Sequence, residues 1–303
     1  MRKFLVKLAL FFALVYGLDV LAGYGFAWLR SHAKGGSTAN CEYIANRASE
    51  DIIILGSSRA THHYIPSIIE DSLGVSCYNC GEEGNGSILA YGRLKMLTNR
   101  YVPKLVIYEI TPGYDYGEMD PYSKYLGFLR AYYDENGIRE IFDDFDDDLS
   151  FLKMKSKMYQ NTSRLLPDLV DNIFYRDNKQ GYSPLYGHMN TDEVVPMLSS
   201  RNDRAVDSLK LSYVERIIKL CIDKDINLVF SISPRFGSDS DIEPYLPALS
   251  LCDKYGIEVA NYLNNPQICS CADYFQDSGH LNHKGAEAYT TLVLRLIKRK
   301  IQI

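Results

Sequence analysis

Short apolar runs alternate with amphipathic stretches along most of the chain, the pattern of a parallel sheet covered by helices. Five runs read as strands: Asp51-Ile52-Ile53-Ile54-Leu55, Val75 to Asn79, Lys104 to Ile110, Ile226 to Ser231 and Ile257 to Asn261. The first is apolar on both faces, as a central strand of an α/β sheet must be. Between the runs, apolar residues recur at helical spacing: Ile65, Ile68, Ile69 and Leu73; Val214, Ile217, Ile218 and Cys221; Ala288, Leu292 and Leu296. These faces predict helices packed on the sheet. The rhythm breaks from about Thr111 to Asp207, an interval far longer than ordinary connections and rich in tyrosine and acid. It is expected to be an insertion between the third and fourth strands, serving as a cap, lid or binding surface, with short helices over Phe151 to Tyr159 and Leu165 to Phe174. Its acidic run, Phe142 to Asp148, reads as a solvated face, since it lacks the glycine-punctuated spacing of a calcium loop.

The first 30 residues differ from the rest. Cationic Arg2, Lys3 and Lys7 precede apolar residues that continue past Asp19 to Trp28. This segment is expected to be a membrane anchor, with Lys7 snorkelling and Asp19 costly near the bilayer centre; a cleaved signal peptide is the alternative. The N-terminal cations place the following chain outside the membrane, periplasmic or at the cell surface, or secreted if the segment is cleaved. A polar linker follows, about 31–48, then one large domain over 49–303. A formal net charge of -5 supplies no basic face for nucleic acid. Of seven cysteines, Cys221 and Cys252 fall in helical core patterns. Cys77, Cys80, Cys269 and Cys271 read as buried thiols or an incidental disulfide sooner than as zinc ligands.

Three motifs carry chemistry. Gly56-Ser57-Ser58-Arg59-Ala60 follows the first strand directly, with a helix expected from about His63 to Ile65. A serine at the carboxyl end of a central parallel strand faces the crevice where such sheets bind ligands. A hydroxyl is a weak nucleophile without a base. Asp277-Ser278-Gly279-His280 follows the last strand, and a carboxylate three residues before a histidine can orient the ring in a single turn. Asn79-Cys80-Gly81-Glu82-Glu83-Gly84-Asn85-Gly86 is a glycine-dense turn entering a helix near Ser87. The Gly84 N–H is the natural partner of the Ser58 N–H in an oxyanion hole. The glycine spacing does not fit a dinucleotide-binding loop.

In order and content these segments resemble the SGNH, or GDSL-like, hydrolase superfamily over most of residues 50 to 300. The resemblance implies a flavodoxin-like three-layer α/β/α fold with a five-stranded parallel sheet, ester chemistry, and no metal or organic cofactor. It implies Ser58 as nucleophile, His280 and Asp277 as the other triad members, and Gly84 as the oxyanion glycine. Two positions depart from the family pattern. Ser57 stands where the family has aspartate, and the asparagine expected after the third strand is missing from Glu109-Ile110-Thr111-Pro112-Gly113. Either Thr111 or Arg59 then takes its place as donor, or the enzyme is slow, or catalysis has been lost. An α/β-hydrolase is the rival, but its nucleophile follows several strands and its acid and histidine sit on separate loops. The expectation is an extracytoplasmic esterase acting on an acylated small molecule or glycan, with an O-acyltransferase or a weakened glycan-binding protein as alternatives.

Overall fold

Every residue of the run Ile52–Gly56 is buried, as its lack of a polar face demands, and it forms β1, an interior strand of the sheet. The computed structural model describes residues 1–118, 121–145, 150–174, 179–189, 205–237 and 240–301. β2 (Cys77–Asn79), β3 (Leu105–Glu109), β4 (Asn227–Ile232) and β5 (Glu258–Asn261) complete the sheet. Its order is β2-β1-β3-β4-β5 and all pairings are parallel. Ile52 pairs with Leu105 and Gly56 with Glu109. The winding reverses between β1 and β3, so the carboxyl ends of these strands open the ligand crevice of such a sheet.

Helices α1 (Arg2–Ser31) and α2 (Gly36–Asn46) precede β1; α3 (Ser58–His63), α4 (Pro66–Leu73) and α5 (Ser87–Thr98) join the first three strands. In the long interval lie α6 (Pro112–Asp115), α7 (Tyr122–Leu129), α8 (Arg139–Asp143), α9 (Ser150–Lys153), α10 (Lys157–Asn161) and α11 (Leu165–Phe174). After it come α12 (Ser208–Asp223), α13 (Leu246–Tyr255), α14 (Pro266–Cys269) and α15 (His283–Ile301). Alternate strand residues feed two cores. Ile53, Leu55, Val106 and Phe230 pack with Leu94 of α5 and Ile217 of α12. Ile52, Ile54, Ile107 and Val229 pack with Ile69 of α4 and Val293 of α15. The expected three-layer α/β/α architecture with a five-stranded parallel sheet is the one observed.

Some expectations need correction. Leu296 of α15 is buried as expected, but the rest of its inward stripe is Ala286, Tyr289, Val293 and Ile297, one position round from the half-buried Ala288 and Leu292. Its rotation is set at its start, where Gly285 lies so close to Tyr274 that a Cβ would come 2.1 Å from the Tyr274 carbonyl oxygen. The stretch expected as a polar linker instead contains α2, with Thr38 and Ile44 buried. Small residues there read as flexible, yet they allow close packing: the Thr38 N–H donates to Asp171 at 2.8 Å and its hydroxyl to Asp168 at 2.9 Å.

The insertion is a buttress over much of its length. Tyr125, Leu129, Tyr132 and Ile141 pack on Ala45 of α2 and on Ile88 and Met96 of α5. Its tyrosines are largely packing residues whose hydroxyls reach carboxylates, as Tyr132 does to Glu42 at 2.7 Å and Tyr122 to Asp207 at 2.7 Å. In the acidic run, Asp144 accepts from Tyr213 and Arg216; residues 146–148 lie outside the described residues. All seven cysteines are free thiols, and only Cys271 is not fully buried.

α1 is long and apolar enough to cross a membrane, which is compatible with an anchor or a signal segment. Its second half is docked on the insertion. Asp19 accepts the Ser156 hydroxyl and, at 2.8 Å, the Lys157 N–H at the start of α10. Gly23 lies against the same turn, where a Cβ would meet the Lys157 carbonyl carbon at 2.6 Å. Arg30 pairs with Glu42 and Asn161.

Candidate active site

Gly56 ends β1 at φ +142°, and a Cβ there would sit 2.6 Å from the Glu109 carbonyl oxygen, so the chain turns sharply against β3. The turn separates two adjacent serines. Ser57 is wholly buried, and its hydroxyl has no partner among the described residues. Ser58 is the first residue of α3, half-buried, with Oγ 2.8 Å from His280 Nε2. α3 therefore begins at Ser58, not near His63 to Ile65 as expected. That leaves the Ser58 N–H at the open end of a helical turn, where no intrahelical acceptor exists.

His280 Nδ1 lies 3.1 and 3.0 Å from the two carboxylate oxygens of Asp277. A carboxylate partner assigns the proton to Nδ1, which leaves Nε2 to accept from the Ser58 hydroxyl. Asp277 Oδ1 also accepts the N–H groups of Gly279 at 2.8 Å and His280 at 2.9 Å, closing the turn on itself. Partial burial pushes the Asp277 carboxyl upward. The His280 hydrogen bond and charge, with those two N–H groups, outweigh it and hold the carboxyl below the usual range.

A second histidine holds this loop. The Leu281 N–H donates to His63 Nε2 at 3.0 Å, so the proton of His63 sits on Nδ1, 2.8 Å from Ser233 Oγ. Ser233 Oγ in turn donates to Glu109 Oε1 at 2.7 Å. Burial, then the charges of Arg59, His280 and His62, lower the His63 pKa well below its usual value, which keeps the ring neutral. The other Glu109 oxygen accepts from Tyr64 at 2.5 Å. Sequence reasoning missed His63, Ser233, Glu109 and Tyr64. The available signal was a glutamate ending an otherwise apolar strand, opposite a helix carrying two histidines.

The proposed oxyanion donors fare differently. Gly84 has φ +66° in a turn closed by the Asn85 N–H on Glu82 O at 3.1 Å. Glycine suits that third turn position. Among the described residues neither the Ser58 nor the Gly84 N–H has a protein acceptor. Thr111 follows β3, and its buried hydroxyl has no partner among the described residues. Arg59 is a correction. Its guanidinium lies beneath the crevice, donating to Ile110 O and Tyr245 Oη at 2.8 Å each and standing 3.4 Å from Glu109, so it is spent on buried structure.

The late insertion returns to wall the site. His62 Nδ1 donates to Ser183 O at 2.6 Å, and its Nε2 lies 3.1 Å from Glu83. That hydrogen bond chiefly holds the Glu83 carboxyl below its usual range, against partial burial. The His62 ring stands edge-on to His280 at 5.9 Å. The His283 N–H reaches Leu185 O at 2.6 Å and the Met189 N–H reaches Phe275 O at 2.9 Å.

No protein-family model and no curated protein matches the chain. Solved structures do. One, a putative lipolytic protein of the G-D-S-L family from Desulfitobacterium hafniense, is 9% identical, with 81% of this chain and 99% of that one covered at a TM-score of 0.40. Another, a GDSL-like lipase from Bacteroides thetaiotaomicron, is 10% identical, covering 83% and 87% at a TM-score of 0.37. At such identities and scores these similarities assign no activity to the chain, whose residue roles rest on its own geometry.

Proposed function

We propose that the chain is an SGNH-type serine esterase that forms an acyl-enzyme on Ser58. The observation that carries this reading is the relay from Ser58 Oγ to His280 Nε2 at 2.8 Å and from His280 Nδ1 to Asp277 at 3.0 Å. His280 takes the Ser58 proton as Oγ attacks an ester carbonyl. The N–H groups of Ser58 and Gly84 receive the oxyanion, with the unpartnered Thr111 hydroxyl as third donor in place of the missing asparagine. Collapse of the tetrahedral intermediate expels the alcohol, which takes the proton from His280. Water activated by His280 then releases the acid; a sugar hydroxyl in the same position yields acyl transfer. With α1 as a retained anchor, the substrate class is an O-acylated glycan or small ester outside the cytoplasmic membrane.

Fluorophosphonate labelling of the full chain tests this. Wild type and Ser57→Ala are expected to label, and Ser58→Ala is not. Absence of labelling and of acetyl-ester hydrolysis in wild type sinks the enzyme reading in favour of a binding protein; loss of label in Ser57→Ala alone sinks the assignment of the nucleophile.

A further inference from the structure

α11 carries its amphipathic pattern inside out. Its acids face the protein, Asp168 being 3% and Asp171 7% exposed, where they hold Thr38 of α2. Its apolar side chains face outward: Leu166, Leu169, Val170, Ile173 and Phe174 are 41 to 72% exposed. A helix on an aqueous surface does the reverse, and a contiguous apolar patch marks a contact with a partner or a membrane.

Its place beside α1 selects the membrane. Twenty helical residues rise about 30 Å, the thickness of the hydrocarbon layer. Counted from Leu8, just past the last N-terminal lysine, that span ends at Ala27. Trp28 follows, 61% exposed, at the depth where aromatic side chains line the interface. The Asn172 side chain of α11 donates to the very next carbonyl, that of Leu29, at 3.1 Å. Asp19, which lies deeper, has its carboxylate satisfied by Ser156 and Lys157, and Lys153 and Lys155 beside them have stems long enough to snorkel. We propose that α11 is an in-plane interfacial helix whose apolar face enters the outer headgroup–acyl boundary of the bilayer that α1 crosses. The inference rests on α1 being a retained anchor. It seats the domain on the bilayer at two points, so the crevice holds a constant height above the surface.

The test uses the full chain in phosphatidylcholine vesicles with or without bromine on the acyl chains. The single tryptophan, Trp28, is removed as Trp28→Phe, and Leu14→Trp, Ile173→Trp, Phe174→Trp or Ile222→Trp is added singly. All four positions are exposed, so the fold tolerates them. Bromolipid is expected to quench Ile173→Trp and Phe174→Trp nearly as strongly as Leu14→Trp, and to leave Ile222→Trp of α12 unchanged. If both α11 reporters behave like Ile222→Trp while Leu14→Trp is quenched, the proposal is overturned and the anchor stands. Cross-linking of Ile173→Cys between two copies then assigns the face to a subunit contact. If Leu14→Trp also escapes quenching, the anchor falls and this inference with it.

Discussion

Beneath Ser58 the ionisable side chains of Arg59, His63 and Glu109 are buried and paired; along α1 and α11 the apolar side chains are left exposed and the acids are turned inward. Glu109 and His63 are wholly buried, each held by hydrogen bonds, whereas Leu14, Leu21, Ile173 and Phe174 are 59 to 72% exposed. In the first region water is excluded, so an unpaired polar group is costly and the network admits one arrangement. In the second, the exposed residues would be costly only if their surroundings were water. The contrast separates a region shaped for orientation from one that offers apolar faces to a partner or a membrane.

The largest expected effect lies at the rim of the network. Asp277→Ala should lower esterase turnover on the order of 10⁴-fold while leaving the thermal midpoint nearly unchanged, because Asp277 is 56% exposed. Calorimetry showing a matching collapse of stability would merge catalysis and folding and blur the contrast. Glu109→Gln attacks the buried side directly, leaving the Arg59 charge without its counter-ion and costing about 3 to 5 kcal/mol in urea unfolding. A loss below about 1 kcal/mol would mean that Arg59 is solvated and the network is not closed.

Gly23→Leu addresses the other region. Its side chain would collide with the Lys157 backbone and should separate α1 from α10 at a cost of about 1 to 3 kcal/mol. Hydrogen exchange is expected to quicken in α10 while hydrolysis stays at the wild-type rate. The pH dependence of stability turns on Asp115, which burial raises to about 7 against the opposing hydrogen bonds from Tyr108 and the Thr111 N–H. Unfolded, this carboxyl titrates near 4. Between about pH 4 and 7 the native state binds the extra proton, so stability falls as pH rises through that window and levels off above it. Asp115→Asn should flatten the slope; an unchanged slope would show that Asp115 is ionised throughout.

Much of the sheet and site was legible before the structure. The five strands appear within a few residues of their expected places because a run such as Ile52-Ile53-Ile54 has no polar face to offer any other arrangement. Ser58, Asp277 and His280 could be proposed from their positions after strands, since strand ends of parallel sheets converge on one crevice. The dependence of the His280 loop on His63, Ser233 and Glu109 could not, because those residues are separated along the chain by 46 to 170 positions and meet only across the sheet. Arg59 looked like an oxyanion donor because sequence places it beside Ser58; the helical turn sends it under the crevice instead. The segment around Gly36 to Asn46 looked like a linker because its small, polar composition reports low hydropathy and says nothing of how closely two backbones can approach.

Local order of residues thus determined the elements, their α/β rhythm, the apolar first helix and the catalytic candidates, since periodicity and turn chemistry act over a few residues. Only tertiary packing decided which buried residues hold the His280 loop, which way α15 is rotated, and that α11 buries its acids. Those outcomes depend on contacts between segments far apart in the chain, whose energies no local pattern records.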